Sequence, residues 1–463
     1  MDELLCISPI DGRYHKITEK LNEYFSEYAL IKYRVVVEIK WLLKLNEIIN
    51  INFSPVQVNA LNNIIANFSV NEARKVKEIE TTTKHDVKAV EYYLQNKFDC
   101  LGLSDYKNYI HFGCTSEDIN NLAYNLMIKN CLYNVFIPSA EELINNVSYK
   151  VKEYRSIPML AHTHGQPATP TTVGKELAVF VYRWQSILNF IKTINLRGKF
   201  SGAVGNFNAH IVAFPDLDWI KIGTEFVEGL GLEFNPLTTQ IESHDIICVI
   251  FNYIKSFNNI TMDFNSDMWI YISNNYFKQS VIKTEVGSSV MPHKVNPINY
   301  ENSMANIRIA NSIFTALTEN LPVSRMQRDL SDSSMLRNIG VAFSHCLISI
   351  NQSIIGFNKL TPNEKVLTDD LNLNVAVISE AIQTVLRKNG YTNAYELLKE
   401  LTRGNEITIQ DIQKFIYSLD ISNEDKENLL KLTPYNYLGL ADKLVDFIWV
   451  RGERWEVRSE TLG

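Results

Sequence analysis

The sequence predicts an all-α protein built around long helices, and three observations support this prediction. Apolar residues recur every three or four positions, which is the spacing of one face of a helix. In the first such segment these residues are Tyr28, Ile31, Val35, Ile39 and Leu42. Proline is absent between Pro236 and Pro292 and between Pro322 and Pro362, so long uninterrupted helices are permitted there. No series of short alternating strands separated by turns is visible in the sequence.

The first predicted helix places its charged residues Glu27, Arg34 and Glu38 on the side opposite the apolar stripe. A longer stripe runs through the middle of the chain. Its residues are Ile246, Ile250, Tyr253, Phe257, Ile260, Phe264, Met268 and Tyr271. Apolar residues recur on more than one face of these central helices, and such helices must be covered by several neighbours. The central helices are therefore predicted to form a bundle, either within an oligomer that completes its core or within a large monomer.

Three domains are predicted along the chain. An N-terminal helical domain spans residues 1–111, a central long-helix bundle spans 112–361, and a C-terminal helical domain with a tail spans 362–463. A polar patch at His111–Thr115 marks the first boundary, and Pro362 interrupts the helical pattern near the second.

Composition and charge exclude several classes of protein. The 45 basic and 52 acidic residues leave a net charge of -7, which gives no general reason to expect a nucleic acid partner. The N-terminus lacks a basic segment followed by an apolar run, and no charge-free run of about eighteen apolar residues was found. The cysteines are scattered, and Gly202–Gly205 lacks the spacing of a dinucleotide site. We therefore expect a cytoplasmic protein without a membrane partner, a metal or a cofactor.

The segment with the strongest chemical pattern is 287–297, which reads Gly-Ser-Ser-Val-Met-Pro-His-Lys-Val-Asn-Pro. Its glycine, prolines and small hydroxyl residues describe a constrained loop between helices. Composition alone favours an ordinary interhelical turn with a polar rim. The segment nevertheless resembles the shared loop of the fumarase–aspartase superfamily at every fixed position of that loop. The predicted catalytic loop is 284–298.

Further segments narrow the resemblance to the adenylosuccinate lyase family, and within it to the bacterial-type branch. His293, after the Met-Pro pair, is typical of that family and also of the carboxymuconate-cyclising relatives. The segments 81–91, 111–121 and 162–170 resemble adenylosuccinate lyase segments. The resemblance runs from Asp11 to about Asp446, and the tail at 447–463 has no role that the resemblance explains.

The reaction that this resemblance implies is β-elimination of fumarate from a succinylated purine nucleotide. It needs a base, an acid for the leaving nitrogen and groups that stabilise negative charge. By the match to the superfamily loop, Ser288 is expected to be the base, its alkoxide stabilised by N–H groups and Lys294. His164 is expected to be the acid because imidazole titrates near neutrality, with Glu301 orienting its ring. His85 resembles a second active-site histidine that orients the substrate, whereas His162 is interpreted as structural.

The resemblance also implies a set of binding residues. Arginine suits the nucleotide phosphate because its guanidinium group can donate two hydrogen bonds at once. The residues matching phosphate positions are Arg13, Tyr14, Arg328, Ser333 and Arg337. Those matching positions near the succinyl carboxylates are Thr115, Ser116, Gln240, Ser289, Lys294 and Asn296. The segment Lys84-His85-Asp86 is also expected to bind substrate, although Lys84 replaces the family's asparagine, so its expected role rests on the backbone.

The resemblance further implies a homotetramer in which several subunits build each active site, and a substrate range that includes both adenylosuccinate and the succinylated aminoimidazole carboxamide ribotide (SAICAR). Two alternatives stay open. One is a sister lyase that cyclises carboxymuconate or cleaves argininosuccinate. The other is a structural protein that has kept the fold without turnover, against which stands the presence of Ser288, His164, Lys294 and Glu301.

Overall fold

A computed structural model describes residues 2–280, 290–291, 294–402 and 407–448. Helices dominate these residues, which confirms the predicted all-α class. The described α-helices are α1 (His15–Thr18), α2 (Asn22–Phe25), α3 (Glu27–Ile49), α4 (Pro55–Ala66), α5 (Val70–Thr83), α6 (Asp86–Cys100), α7 (Ser116–Cys131), α8 (Ile137–Glu153), α9 (Val173–Thr193), α10 (Asn208–Ala213), α11 (Trp219–Gly229), α12 (Asp245–Ser273), α13 (Ile298–Asn320), α14 (Ser331–Leu336), α15 (Ile339–Asn358), α16 (Glu364–Leu373), α17 (Ser379–Lys388), α18 (Ala394–Thr402), α19 (Ile409–Ser418), α20 (Asn423–Leu430) and α21 (Ala441–Leu444).

Short strands are also present, in three two-stranded sheets within the described ranges. The strands are β1 (Pro158–Thr163), β2 (Gln166–Thr172), β3 (Arg197–Gly198), β4 (Glu233–Phe234), β5 (Phe277–Gln279) and β6 (Leu360–Pro362). β1 pairs antiparallel with β2 and β5 with β6, whereas β3 pairs parallel with β4. The sequence did not predict these strands, because β3 to β6 have only two or three residues and the longer β1 and β2 contain prolines.

The proline-free stretches contain the long helices that they predicted. Helix α12 has 29 residues and lies between Pro236 and Pro292, and α15 has 20 residues and lies between Pro322 and Pro362. The stripe predicted along α12 is largely confirmed, since Ile250, Phe257, Phe264 and Met268 are all fully buried.

The chain divides into two compact units. Unit 1 comprises residues 1–140, 187–259 and 304–351, and unit 2 comprises 141–186, 260–303 and 352–463. Unit 1 contains a hydrophobic core cluster drawn from residues 31–110, and unit 2 contains one drawn from residues 378–429. The three-domain division with boundaries near 111 and 361 stays a prediction.

Helix α3 is also buried on the side opposite its apolar stripe, where two of the three charged residues lie in the core and Glu27 is exposed. Arg34 and Glu38 are 1% and 2% exposed, and Val37, Trp41 and Leu45 are buried with them. The charges are tolerated because each is paired: the Arg34 Nη2 group donates to Asp86 at 2.7 Å, and Glu38 contacts His111 Nδ1 at 2.6 Å. Spacing alone does not distinguish a solvated charge from a buried charge with a partner.

One described stretch, Ser331–Asn358, is long and apolar enough to cross a membrane by length and composition alone. Of its most apolar window, 67% is buried inside the protein. Core helices pass the same test, and Phe343, Cys346 and Ile348 of α15 are fully buried. This stretch is therefore weak evidence for a membrane span.

Candidate active site

A polar cavity of about 380 Å³ lies within unit 1. It is lined by His85, Asp86, Thr115, Ser116, Glu117, Asn120, Gln240, Arg328, Leu330, Ser333, Ser334 and Arg337. Eight of these residues were predicted as substrate-binding residues from the sequence, and they come from segments separated by up to 252 positions (85 to 337). The fold thus brings eight of the predicted binding residues of unit 1 together at one place.

Thr115 and Ser116 are positioned by the start of helix α7. Ser116 is its first residue, and the N-cap residue Thr115 donates its backbone N–H to Asp118 Oδ2 at 2.8 Å. Asp118 is itself held by a buried lysine, since Lys199 Nζ donates to its other oxygen at 2.7 Å and both side chains are fully buried. The first N–H groups of a helix lack partners within the helix and favour anions. The start of α7 is therefore a firmly anchored group of hydrogen-bond donors beside the cavity.

His85 is held by the start of helix α6. It is the N-cap residue, and its Nδ1 atom accepts a hydrogen bond from the Lys88 backbone N–H at 3.2 Å. Since Nδ1 is an acceptor here, the neutral ring carries its proton on Nε2. The side chain is 53% exposed, which suits contact with a ligand.

Asp86 connects two arginines. Its Oδ2 atom accepts from Arg34 Nη2 at 2.7 Å and from Arg337 Nη2 at 3.1 Å, while Oδ1 accepts from the Val87 backbone at 2.9 Å. Burial opposes ionisation of this carboxyl, but the Arg34 guanidinium and then the other donors outweigh it and lower the pKa of Asp86 to about 2. Asp86 is therefore an anion that orients Arg337 and is not itself suited to bind an anionic ligand.

Arg328 is held by three neighbours. Its Nη1 group donates to Asp332 at 2.8 Å, and its Nη2 group donates to Glu117 Oε1 and to the Ser333 hydroxyl, both at 3.2 Å. Burial acts against ionisation of Asp332, but hydrogen bonding to His244 and the Arg328 charge lower its pKa. Burial dominates at Glu117 and raises its pKa despite Arg328. Arg328 and Arg337, on either side of helix α14, are thus both fixed by carboxylates.

Gln240 and Ser333 complete the predicted part of the lining. Gln240 Nε2 donates to the Ala203 carbonyl at 3.1 Å, and its backbone N–H donates to the Gln327 carbonyl at 3.2 Å. The Arg337 Nη1 group donates to the Ser333 carbonyl at 3.0 Å. These bonds join the Gln240 segment to the residue before Arg328, and they join Arg337 to the helix that carries Ser333.

Four lining residues were not predicted: Glu117, Asn120, Leu330 and Ser334. Glu117 and Asn120 lie in the recognised segment 111–121, but no role was assigned to them. Helical spacing contained the signal, since residues 116, 117 and 120 fall on one face of α7. Ser334 adjoins Ser333 and Leu330 lies two positions after Arg328, and neither carries a separate signal.

Three predicted binding residues of unit 1 lie outside the cavity lining. Arg13 is exposed, with its guanidinium group 5.9 Å from the centre of the Tyr14 ring. Tyr14 is partly buried and is the N-cap residue of α1. Lys84 ends helix α5 in the left-handed conformation, with φ of 54°, and its side chain is exposed. Their substrate contacts stay predictions.

His164 belongs to unit 2, at the tip of the β1–β2 hairpin. Thr163 pairs with Gln166, so His164 and Gly165 form a two-residue turn with φ of 55° and 73°. Both positions of a type I′ turn need positive φ, and histidine tolerates this conformation better than most residues. The His164 side chain is exposed, so the turn presents an imidazole at the end of a rigid hairpin.

Glu301, Lys294 and Asn296 also belong to unit 2. The indole Nε1–H of Trp269 donates to Glu301 Oε1 at 3.1 Å. Lys294 is exposed and Asn296 is partly buried. The predicted base Ser288, the binding residue Ser289 and the family-marking His293 lie outside the described residues, as does the tail from 449 to 463. Among the described residues, no group of three or more His, Cys, Asp or Glu side chains could hold a metal ion.

Comparison with known proteins identifies the class of protein. Residues 12–311 match the family described as Lyase, and residues 324–438 match the family described as Adenylosuccinate lyase C-terminal. The fold is shared with a fumarate lyase from Mesorhizobium sp. BNC1, at a TM-score of 0.73 and 18% identity over 93% of this chain and 97% of that chain. It is also shared with the 3-carboxy-cis,cis-muconate lactonizing enzyme of Pseudomonas putida, at a TM-score of 0.71 and 18% identity over 92% and 95%. The chain is therefore a lyase.

Relatives of higher identity specify the family. The adenylosuccinate lyase of Legionella pneumophila strain Philadelphia 1 is 50% identical over 96% of this chain and 98% of its own length. Those of Haemophilus influenzae and Escherichia coli K12 are 48% and 46% identical, each over 96% of this chain and 99% of their own length. The chain belongs to the adenylosuccinate lyase family, as the recognised segments predicted.

Proposed function

We propose that this lyase eliminates fumarate from adenylosuccinate to give AMP, and from SAICAR to give the corresponding carboxamide. The observation that carries the proposal is the donor set of the unit 1 cavity. Arg328, Arg337 and Ser333 supply groups for a phosphate, and Thr115 and Ser116 lie at the anion-favouring start of α7. Both substrates share a ribose phosphate and a succinylamino group, so one cavity serves both.

The elimination requires a base that removes a proton from the carbon next to a carboxylate. Ser288 takes this role in the proposal, by its match to the first serine of the superfamily loop. A serine hydroxyl is a very weak base, so the reaction requires N–H groups and a cation to stabilise its alkoxide. Lys294 supplies that cation in the proposal.

The leaving nitrogen requires an acid, and His164 takes this role. Its position at the tip of a hairpin, with an exposed imidazole, supports the assignment, because the ring is presented outward instead of packed in the core. Glu301 is proposed to orient this imidazole. The Trp269 indole fixes one Glu301 oxygen, which leaves the other as the acceptor for a histidine N–H.

The active enzyme is proposed to be a homotetramer with sites shared between subunits. The long helices carry exposed apolar side chains that a second copy of the chain would bury. They include Val179, Tyr182 and Phe190 of α9, and Val249, Trp269 and Ile270 of α12. Scattered exposed apolar residues are ordinary, but six on two long helices favour an interface.

The test is a spectrophotometric assay of fumarate release from adenylosuccinate and from SAICAR. It compares the unmodified protein with Ser288→Ala and His164→Asn, because asparagine also tolerates the left-handed turn position. The matched control is His162→Asn, which changes the other exposed histidine of the same hairpin. Light scattering checks that each variant keeps the oligomeric state of the unmodified protein.

We expect turnover by the unmodified protein and the His162→Asn control. Ser288→Ala and His164→Asn should each lose at least about 100-fold in kcat, since general acid and base groups contribute on the order of 10²–10⁴. Full activity in either variant would remove that residue from its role. Complete inactivity of the unmodified protein would favour a sister lyase, or a structural relative if argininosuccinate and carboxymuconate also fail.

A further inference from the structure

Arg34 is a buried cation close to the cavity, although it does not line it. It lies in helix α3 and is 1% exposed. Its Nη2 group donates to Asp86 Oδ2 at 2.7 Å, and its Nε group donates to Asn120 Oδ1 at 2.8 Å. Both partners line the cavity, so one guanidinium group connects helices α3, α6 and α7 directly behind the lining.

These bonds continue in both directions to the two arginines of the cavity. On one side, Asp86 Oδ2 accepts from Arg337 at 3.1 Å. On the other side, Asn120 Nδ2 donates to Glu117 Oε1 at 2.8 Å, and the same oxygen accepts from Arg328 at 3.2 Å. An unbroken chain of hydrogen bonds therefore joins Arg337 to Arg328, with Arg34 at its centre.

The state of Arg34 argues against a role in stability alone. Its Nη1 atom is buried, and no hydrogen-bond partner for it is found among the described residues. A buried charge with an unsatisfied donor lowers stability compared with an apolar residue of similar size. Because such a group does not add stability, we expect its contribution to lie in the geometry that it gives to the site.

We infer that Arg34 is a positioning residue that holds Arg328 and Arg337 at the separation and orientation that the phosphate end of the substrate requires. The inference rests on the proposed function and deepens it. Lysine is not a substitute, because a single ammonium group at the end of a flexible chain cannot reach Asp86 and Asn120 with the planar geometry of a guanidinium group.

The test measures kcat and KM for adenylosuccinate, and the dissociation constant of inorganic phosphate by calorimetry. The variants are Arg34→Lys, which keeps the charge, and Asn120→Ala, which breaks the chain of bonds without leaving a buried charge unpaired. The control is Leu45→Ala, which removes a fully buried side chain from the same helix. It lowers stability but leaves the hydrogen bonds of Arg34 intact, so melting temperatures separate a loss of stability from a loss of positioning.

For Arg34→Lys, we expect KM and the phosphate dissociation constant to rise about 10-fold or more, and kcat to change less, because binding groups common to the ground and transition states are misplaced. Asn120→Ala should raise both constants about 3-fold or more. Leu45→Ala should leave both within about 2-fold at a temperature where it is folded. Unchanged constants in Arg34→Lys and Asn120→Ala would overturn the inference, as would an equal rise in Leu45→Ala.

Failure of the proposed function has a different signature. If the unmodified protein releases no fumarate but binds phosphate, the proposed reaction is overturned while the phosphate measurements still decide the role of Arg34. If the unmodified protein neither turns over adenylosuccinate nor binds phosphate, both proposals fall.

Discussion

The salt bridges of Asp86 lead to a quantitative prediction about stability and pH. The carboxyl accepts hydrogen bonds from Arg34 and Arg337, and its pKa is lowered from 3.8 to about 2 in the folded protein, against the opposing effect of burial. At about 1.36 kcal/mol per pH unit, this difference corresponds to about 2.5 kcal/mol of stabilisation at neutral pH. Asp86→Asn keeps the size and shape of the side chain, but it removes the charge and replaces one acceptor oxygen with an NH2 donor, so it should lose at least about this amount.

The sign of the pH dependence follows from the direction of the pKa change. Because the pKa is lower in the folded than in the unfolded chain, the stabilisation is fully present well above pH 3.8 and is lost as the pH falls towards 2. The pH-dependent part of the difference in stability between the two proteins should therefore be about 2.5 kcal/mol at pH 7 and roughly half of that at pH 3.

Urea unfolding followed by circular dichroism at pH 7, 5 and 3 measures this difference. Asp105→Asn is the control, because Asp105 is exposed and lies in the same unit, in the 3₁₀ helix Ser104–Tyr109. It should change stability by less than about 0.5 kcal/mol at each pH. A loss in Asp86→Asn below about 0.5 kcal/mol at pH 7, or one that does not shrink between pH 5 and pH 3, would refute the argument.

Two further predictions concern the support of the site. Gly113→Ala should lower the free energy of unfolding by about 3 kcal/mol in thermal unfolding, because φ is +71° and the added Cβ would lie 2.5 Å from His210 Nε2. The control Gly102→Ala, with φ of +67° and open space around the Cβ, should lose only about 1 kcal/mol. Equal losses in the two variants would contradict the steric argument. Trp269→Phe removes the hydrogen bond to Glu301 and should lower kcat about 5-fold with KM nearly unchanged. Steady-state kinetics would measure both constants. An unchanged kcat would show that this hydrogen bond does not contribute to catalysis.

The helical framework was predictable because its signals are periodic and local. Spacing of apolar residues and the absence of proline located α12 and α15, and both are as long as expected. The β1–β2 hairpin was missed for the opposite reason. Its strands have six and seven residues; the first begins with a proline and the second contains two. The tip is defined by a turn at His164 and Gly165 that only the backbone angles reveal.

The cavity was predictable only in part, for a different physical reason. Motif matching located residues that line the cavity, such as Thr115, Arg328 and Arg337, because such residues occur in recognisable segments. It assigned no role to Arg34, whose partners are 52 and 86 positions away along the chain. Helical periodicity placed Arg34 on the side opposite the apolar stripe of its helix. Long-range pairing of buried charges leaves no local pattern, so only the folded structure exposes it.

The proposed binding of an anionic nucleotide does not depend on a strongly cationic cavity. The guanidinium groups of Arg34, Arg328 and Arg337 are matched by the carboxyl groups of Asp86, Glu117 and Asp332. Net charge therefore contributes little when all six groups are ionised. What distinguishes the site is that each arginine is fixed in direction by its carboxylates, and preorganised donors bind without the entropy loss of ordering free side chains. In the proposed function, the ligand must then match the spacing of the arginines, and an anion with only one suitable group would satisfy half of the site.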